Sequence, residues 1–254
     1  MSDPTPTFIW YELMTSDQDA AEAFYRAVVG WNTNDSGQPG MRYTILSAGD
    51  RGIGGVTALP AGARPGWFGY IGVPDTDGAA KRIALAGGAI HRAPDDIPNV
   101  GRFAVVADPS GAVFMLLTPL PREDVPPPAK PATPGLVGWH ELYTSMGQEA
   151  AFAFYSRQFG WGTAELMDMG AMGKYRILEA DGVPMGAMMD KPENVPGSAW
   201  GFYVNVDGID AAVDRIEANG GQVQMGPHEV PGGSWIVQAV DPQGAAFALV
   251  STTR

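Results

Sequence analysis

Two glutamates stand in the same local setting 129 residues apart: Trp10-Tyr11-Glu12-Leu13-Met14-Thr15-Ser16 and Trp139-His140-Glu141-Leu142-Tyr143-Thr144-Ser145. A carboxylate beside an indole in an apolar lining can take a raised pKa and accept a proton, or stay ionised and hold a cationic group. The competing structural role is an ion pair of Glu12 or Glu141 with Arg42, Arg102 or Arg176 that holds strands in register. Other reactive side chains are sparse, since the chain has three histidines, His91, His140 and His228, and no cysteine. That composition excludes disulfides, thiolate zinc sites, iron–sulfur clusters and cysteine nucleophiles, and allows a histidine-rich metal site at most once. Gly52-Ile53-Gly54-Gly55 precedes a strand instead of opening a helix, so it lacks the helix N-terminal field of a phosphate loop. No Ser-His-Asp arrangement can be argued from the sequence.

The balance of 16 basic against 28 acidic residues, a net charge of −12, argues against nucleic acid or an anionic membrane as partner. With 45% hydrophobic and 17% charged residues over 254 positions, the chain has the apolar material for a core and is not globally disordered. The N-terminus shows no basic stretch followed by an apolar one, and no run of about 18 apolar residues occurs. The expectation is a cytoplasmic protein that takes a small-molecule ligand, with its oligomeric state open.

The elements that must carry the two glutamates are duplicated. Beyond the Trp-x-Glu-Leu segment, Phe24-Tyr25 recurs as Phe154-Tyr155 and Gly30-Trp31 as Gly160-Trp161. Tyr43-Thr44-Ile45-Leu46 recurs as Tyr175-Arg176-Ile177-Leu178, Trp67 as Trp200, Tyr70 as Tyr203, and Gly87-Gly88 as Gly220-Gly221. Asp108-Pro109-Ser110-Gly111 returns as Asp241-Pro242-Gln243-Gly244, the offset having drifted only from 129 to 133. Two homologous halves, 5–118 and 136–252, flank the segment 119–135, whose seven prolines favour extended polyproline II and a semi-rigid spacer.

Within the first half, Phe8 to Met14 alternates as a strand, and Asp17 to Val28 has helical apolar spacing that Gly30 stops. Tyr43 to Leu46, Ile53 to Leu59 and Trp67 to Val73 read as strands. A helix over Thr76 to Ala86 follows, ended by Gly87-Gly88, then Phe103 to Ala107 and Val113 to Thr118 around the Asp-Pro-Ser-Gly turn. Each half is therefore β-α-β-β, β-α-β-β with room for one more strand per unit. Alternation along the first strand sets Trp10, Glu12 and Met14 on one face and Tyr11 and Leu13 on the helix-packing face; Trp139, Glu141 and Tyr143 are likewise set against His140 and Leu142. His91 and His228 fall in the turn-rich run before each hairpin and read as solvated loop residues.

In order and in duplicate, these motifs resemble the vicinal oxygen chelate superfamily, and within it the tandem glyoxalase/bleomycin resistance protein/dioxygenase-like members. The resemblance covers about residues 8–118 and 137–250. It implies an α+β fold of four β-α-β-β-β modules forming two cup-shaped sheets, with ligands in the cups and a divalent metal held there by His, Glu or Gln. The positions matching those ligands in this chain are Trp10, Phe68 and Met115 in the first half. In the second half they are Gly201 and Ala248, with Trp139 or His140 on the first strand according to whether the count follows the internal repeat or runs back from Phe154. The fourth position, within Ile53 to Leu59 and near Gly186 to Met189, offers no carboxylate or imidazole.

The reading that follows is a relative that has lost the family metal site, has no cofactor, and binds a small molecule in an aromatic, acidic cup. Its lining would be Trp10, Met14, Phe68, Met115, Trp139 and Tyr143 around Glu12 and Glu141, with Trp67, Tyr70, Trp200, Tyr203 and several methionines contributing apolar surface that can repack. The alternatives are a glyoxalase-type lyase or isomerase or a ring-cleaving dioxygenase, either of which would need a divalent metal, and metal-free proton transfer by Glu12 or Glu141.

Overall fold

The computed structural model describes residues 4–38, 40–121 and 127–254. The first half runs β1 (Phe8–Thr15), α1 (Gln18–Val29), β2 (Asn32–Asp35), β3 (Tyr43–Ala48), β4 (Arg51–Ala58), β5 (Gly66–Gly72), α2 (Thr76–Leu85), β6 (Ala89–Ile97), β7 (Gly101–Ala107) and β8 (Val113–Pro119). The second repeats it as β9 (Val137–Thr144), α3 (Gln148–Phe159), β10 (Gly162–Asp168), a short 3₁₀ turn at Gly170–Met172, β11 (Lys174–Ala180), β12 (Val183–Asp190), β13 (Ala199–Asn205), α4 (Ile209–Ala218), β14 (Gln222–Glu229), β15 (Trp235–Val240) and β16 (Ala246–Ser251). Four β-α-β-β-β modules result. The strands hydrogen-bond in the order β2-β3-β4-β1-β5-β8-β7-β6 in one half and β10-β11-β12-β9-β13-β16-β15-β14 in the other. β2, β6, β10 and β14 fill the room left for extra strands. They lie at the sheet edges and are mostly exposed, so they lack the apolar alternation that marks the others.

Local chemistry sets the helix ends. Asp17 caps α1 by accepting the Ala20 amide at 3.0 Å, and Gly30 closes it in the left-handed conformation at φ 85°. Ala21, Phe24, Tyr25 and Val28 form the buried stripe of that helix.

By contact density the chain divides into two compact units that cut across the halves. Among the described residues one comprises 4–9, 69–121 and 140–200, and the other 10–38, 40–68, 127–139 and 201–254. Module one therefore shares a unit with module four, and module two with module three. In the second unit Leu13, Phe24, Val28 and Trp31 pack with Ile209, Ile216, Phe247 and Leu249 in one apolar core.

A repeated polar chain runs through both cores. Trp67 Nε1 donates to the Tyr25 hydroxyl at 2.8 Å, and that hydroxyl donates to Asp241 Oδ2 at 3.1 Å. Trp200 donates to Tyr155 at 2.9 Å, and Tyr155 to Asp108 at 3.1 Å. The other carboxylate oxygen of each aspartate accepts backbone amides of its own hairpin, Ser110 and Ala112 in one case, Gln243 and Ala245 in the other. Burial, then the neighbouring Asp241 charge, pushes the Tyr25 phenol well above its ordinary range, and burial raises the Asp241 carboxyl. Two features tie the segments ahead of β1 and β9. Trp161 Nε1 donates to the Pro6 carbonyl at 2.7 Å, and Trp31 Nε1 to the carbonyl of Gly135 at 2.7 Å. The Pro-rich segment is thus fixed at its end, while 127–134 forms no strand and 122–126 lies outside the described residues.

Removing the tyrosine hydroxyl leaves a buried carboxylate oxygen and an indole N–H without their partner. Tyr25→Phe and Tyr155→Phe should each lower stability by about 1–3 kcal/mol in urea denaturation. A loss below about 0.5 kcal/mol would remove the chain as a structural determinant.

Candidate functional site

The strand alternation holds. Leu13 is fully buried in the core beneath α1, and Tyr11 packs edge-on against Phe202 at 5.2 Å. Trp10, Glu12 and Met14 take the other face. β1 pairs in parallel with β4, placing Glu12 opposite Gly55 and Met14 opposite Thr57, while β3 pairs antiparallel with β4 and sets Tyr43 opposite Thr57. On this face Trp10 Nε1 donates to the Tyr43 hydroxyl at 2.9 Å, and the tyrosine hydrogen-bonds Glu12 in turn. An indole can only donate, so the Tyr43 proton is directed to the carboxylate. Burial, and then the charge of Glu12, raises the Tyr43 phenol far above its ordinary range, so this proton stays in place.

The glycines of β4 make room for this arrangement. A Cβ on Gly55 would lie 2.2 Å from the Tyr43 oxygen, and one on Gly52 would lie 3.3 Å from the Trp10 ring. Gly52-Ile53-Gly54-Gly55 is therefore a strand cleared for two aromatic side chains.

The other unit carries the counterpart. Glu141 lies opposite Ala187 and Tyr143 opposite Met189 in the β9–β12 pair, and the Tyr175 hydroxyl donates to Glu141 Oε1 at 2.9 Å. His140 is on the opposite face, buried, stacked on Phe8 with centroids 4.6 Å apart, and its Nδ1 lies 2.6 Å from the Met185 carbonyl. A carbonyl only accepts, so Nδ1 carries the proton. Burial outweighs that hydrogen bond and lowers the imidazole pKa to about 4.

Of the remaining candidates, Phe68 and Trp139 are half-buried and belong to the unit that holds Glu12. Met115 is fully buried in β8 of the unit that holds Glu141, in register with Tyr70 and Val105. The arginines offered as partners go elsewhere. Arg42 pairs with Asp19 and Glu22, Arg102 with Asp77 and Asp96, and Arg176 with Gln148 and Glu149 under a cation–π contact to Phe152. Tyrosines take the place expected of arginines. The sequence reading missed Tyr43 and Tyr175, although both stand in the internal repeat with the glutamates; a search for repeated polar partners would have found them. His91 and His228 are exposed as expected, but in the edge strands β6 and β14 and not in loops.

The donors do not fit the metal chelate expected from the resemblance. Its strand positions carry Trp10, Phe68 and Met115, or Gly201 and Ala248, and His140 is turned to the helix side. Among the described residues no group of three or more His, Cys, Asp or Glu is placed to hold a metal ion.

Fold and motifs define a tandem glyoxalase-like α+β protein. The family model described as Glyoxalase/Bleomycin resistance protein/Dioxygenase superfamily matches residues 7–116 and 140–249, and the chain belongs to that superfamily. It is 31% identical to "Putative glyoxylase CFP32" of Mycobacterium tuberculosis, over 95% of this chain and 93% of that one. It is 30% identical to the anthracycline biosynthesis protein DnrV of Streptomyces peucetius, over 95% and 91%. In fold it is similar to the 2,3-dioxygenase LapB of Pseudomonas sp. KL28, with a TM-score of 0.64, 17% identity, and coverage of 97% of this chain and 91% of that one.

Gly55→Ala should push the Tyr43 ring away and break its bond with Trp10. In a ¹H–¹⁵N spectrum the Trp10 indole resonance should then move as it does in Tyr43→Phe while that of Trp67 stays; an unmoved Trp10 resonance would contradict the packing. For His140 the folded pKa, about 4, lies below the unfolded 6.5. The unfolded chain therefore takes up the proton first, and stability falls as pH drops from 6.5 towards 4, by roughly 3 kcal/mol at most. His140→Phe should flatten denaturation-derived stability against pH in that window, and a slope unchanged from the parent would count against a buried neutral imidazole.

Proposed function

We propose that this chain binds a small molecule on the acidic, aromatic faces around Glu12 and Glu141, without the divalent metal used elsewhere in its superfamily. The observation that carries the proposal is the tyrosine on each glutamate, Tyr43 on Glu12 and Tyr175 on Glu141. Together with the apolar residues at the other chelate positions, it makes each carboxylate an oriented hydrogen-bond acceptor and not one ligand of a chelate. Such a carboxylate suits a ligand that presents a cationic or N–H/O–H group next to a ring that can lie on Trp10 or Trp139. The name of DnrV supports a polycyclic aromatic ligand of the anthracycline class.

Metal-free proton transfer by Glu12 or Glu141 is a second reading. It is favoured by the Trp10–Tyr43–Glu12 chain, which fixes the direction of one hydrogen bond to the carboxylate and leaves the glutamate oriented as a base.

Elemental analysis of the purified protein should give well under one divalent ion per chain. A stoichiometric ion held by protein side chains would overturn the proposal and restore the metal-dependent lyase, isomerase or dioxygenase readings. Thermal-shift screening should show stabilisation by an anthracycline or a bleomycin-like cation over catechols and glutathione adducts, reduced in Glu12→Gln, Glu141→Gln. If instead the protein turns over methylglyoxal plus thiol and that double variant abolishes turnover, binding alone is untenable.

A further inference from the structure

An asparagine carboxamide is open to attack by the backbone nitrogen of the next residue, and a side chain on that residue hinders the approach. The chain has six asparagines, Asn32, Asn34, Asn99, Asn194, Asn205 and Asn219, and only Asn219 precedes a glycine. At the repeat offset of 133 the first half has Ala86-Gly87 there, so the reactive amide belongs to the second half alone.

Asn219 is exposed and closes α4. Its Nδ2 donates to the Arg215 carbonyl at 2.8 Å, and its backbone N–H reaches the same oxygen at 3.2 Å. The Gly220 nitrogen, which would be the nucleophile, donates to the Glu217 carbonyl at 3.1 Å, with Gly220 itself left-handed at φ 84°. Both reacting groups are therefore engaged by the last turn of the helix. That turn also lies directly on α1. Gly221 donates to the Ile216 carbonyl at 2.9 Å, and a Cβ on it would lie 2.9 Å from the Phe24 ring. Arg215 Nε donates to the Val28 carbonyl at 2.9 Å, a second tie between the two helices.

When the turn opens, the Gly220 nitrogen can lose its proton and bond to Asn219 Cγ while the carboxamide C–N bond breaks and ammonia leaves. Water then opens the cyclic imide at either carbonyl. One product is aspartate on the original backbone, and the other is isoaspartate, whose backbone runs through the former side chain and is longer by a methylene. Neither can donate to the Arg215 carbonyl, and each puts a carboxylate at the negative end of the α4 dipole. The added methylene of isoaspartate also moves Gly221 off Phe24.

We infer that Asn219-Gly220 is a self-modification site gated by the last turn of α4. The closed turn protects the amide, and conversion stops the turn from closing again, so the α1–α4 contact in the unit that holds Glu12 is released in one direction. The site lies apart from the glutamate faces and does not depend on what they bind.

The test incubates the full-length protein in mildly alkaline buffer, folded or unfolded in guanidinium chloride, and maps amide-to-acid conversion by peptide mass spectrometry. In the unfolded chain Asn219 should convert ahead of the other five asparagines. In the folded protein its rate should be at least about tenfold lower, since the closed turn must open first. Arg215→Ala, which removes the tie to Val28, should raise the folded rate; if that variant is too unstable, guanidinium below the unfolding transition takes its place. In the isoaspartate product the Trp67 indole resonance should move, because its acceptor Tyr25 adjoins Phe24, while that of Trp200 stays. Earlier conversion of another asparagine in the unfolded chain, equal folded and unfolded rates, a folded rate indifferent to loosening of α4, or an unmoved Trp67 resonance would overturn the inference.

Discussion

A buried carboxylate that must not be left alone organises this protein. Asp108 and Asp241 each sit almost out of reach of water, where an unsatisfied charge would cost several kcal/mol. One oxygen is absorbed by amides of the carboxylate's own turn. The other takes a donor from a helix of the opposite sequence half, Tyr155 or Tyr25. The tyrosine is held by a tryptophan from the strand that opens the next module. Three motifs that look independent in the chain, Phe-Tyr, the lone Trp67 or Trp200, and Asp-Pro-x-Gly, are thus three parts of one hydrogen-bonded chain.

Much of the fold was legible because its signals are local. Apolar alternation marked β1, β5, β7 and β8, helical spacing with a stopping glycine marked α1, and the duplication doubled each signal. The four edge strands were not legible for a physical reason: a strand with one partner and solvent on most sides is under no pressure to alternate, as Asn32–Asp35 and Ala89–Ile97 demonstrate. Module pairing was hidden as well, since it depends on bonds between residues more than 40 and up to 216 positions apart. At the candidate site the face of each glutamate could be read from period two, but its partner could not. Charge complementarity suggested arginine, whereas Arg42, Arg102 and Arg176 are bound by acids and amides on their own elements and neighbours.

The glycines of β4 carry a related lesson. In the sequence they lead into a strand without the helix a phosphate loop needs; in the fold they are absences that make room for the Tyr43 and Trp10 rings. The same trade between a side chain and the space it leaves distinguishes the two halves. Ala187 stands where the first half has Gly55, and Ala248 where it has Met115. The duplicated backbone keeps one strand order in both halves while side-chain volumes differ.

The Trp31–Gly135 and Trp161–Pro6 bonds give the proline-rich connection a meaning beyond spacing. Each half's tryptophan grips the segment that leads into the first strand of the other, so a half expressed alone would present a helix face, a tyrosine and an indole all made for a sister domain. The connection then acts by holding the sisters at a high effective concentration, turning a bimolecular association into a unimolecular one.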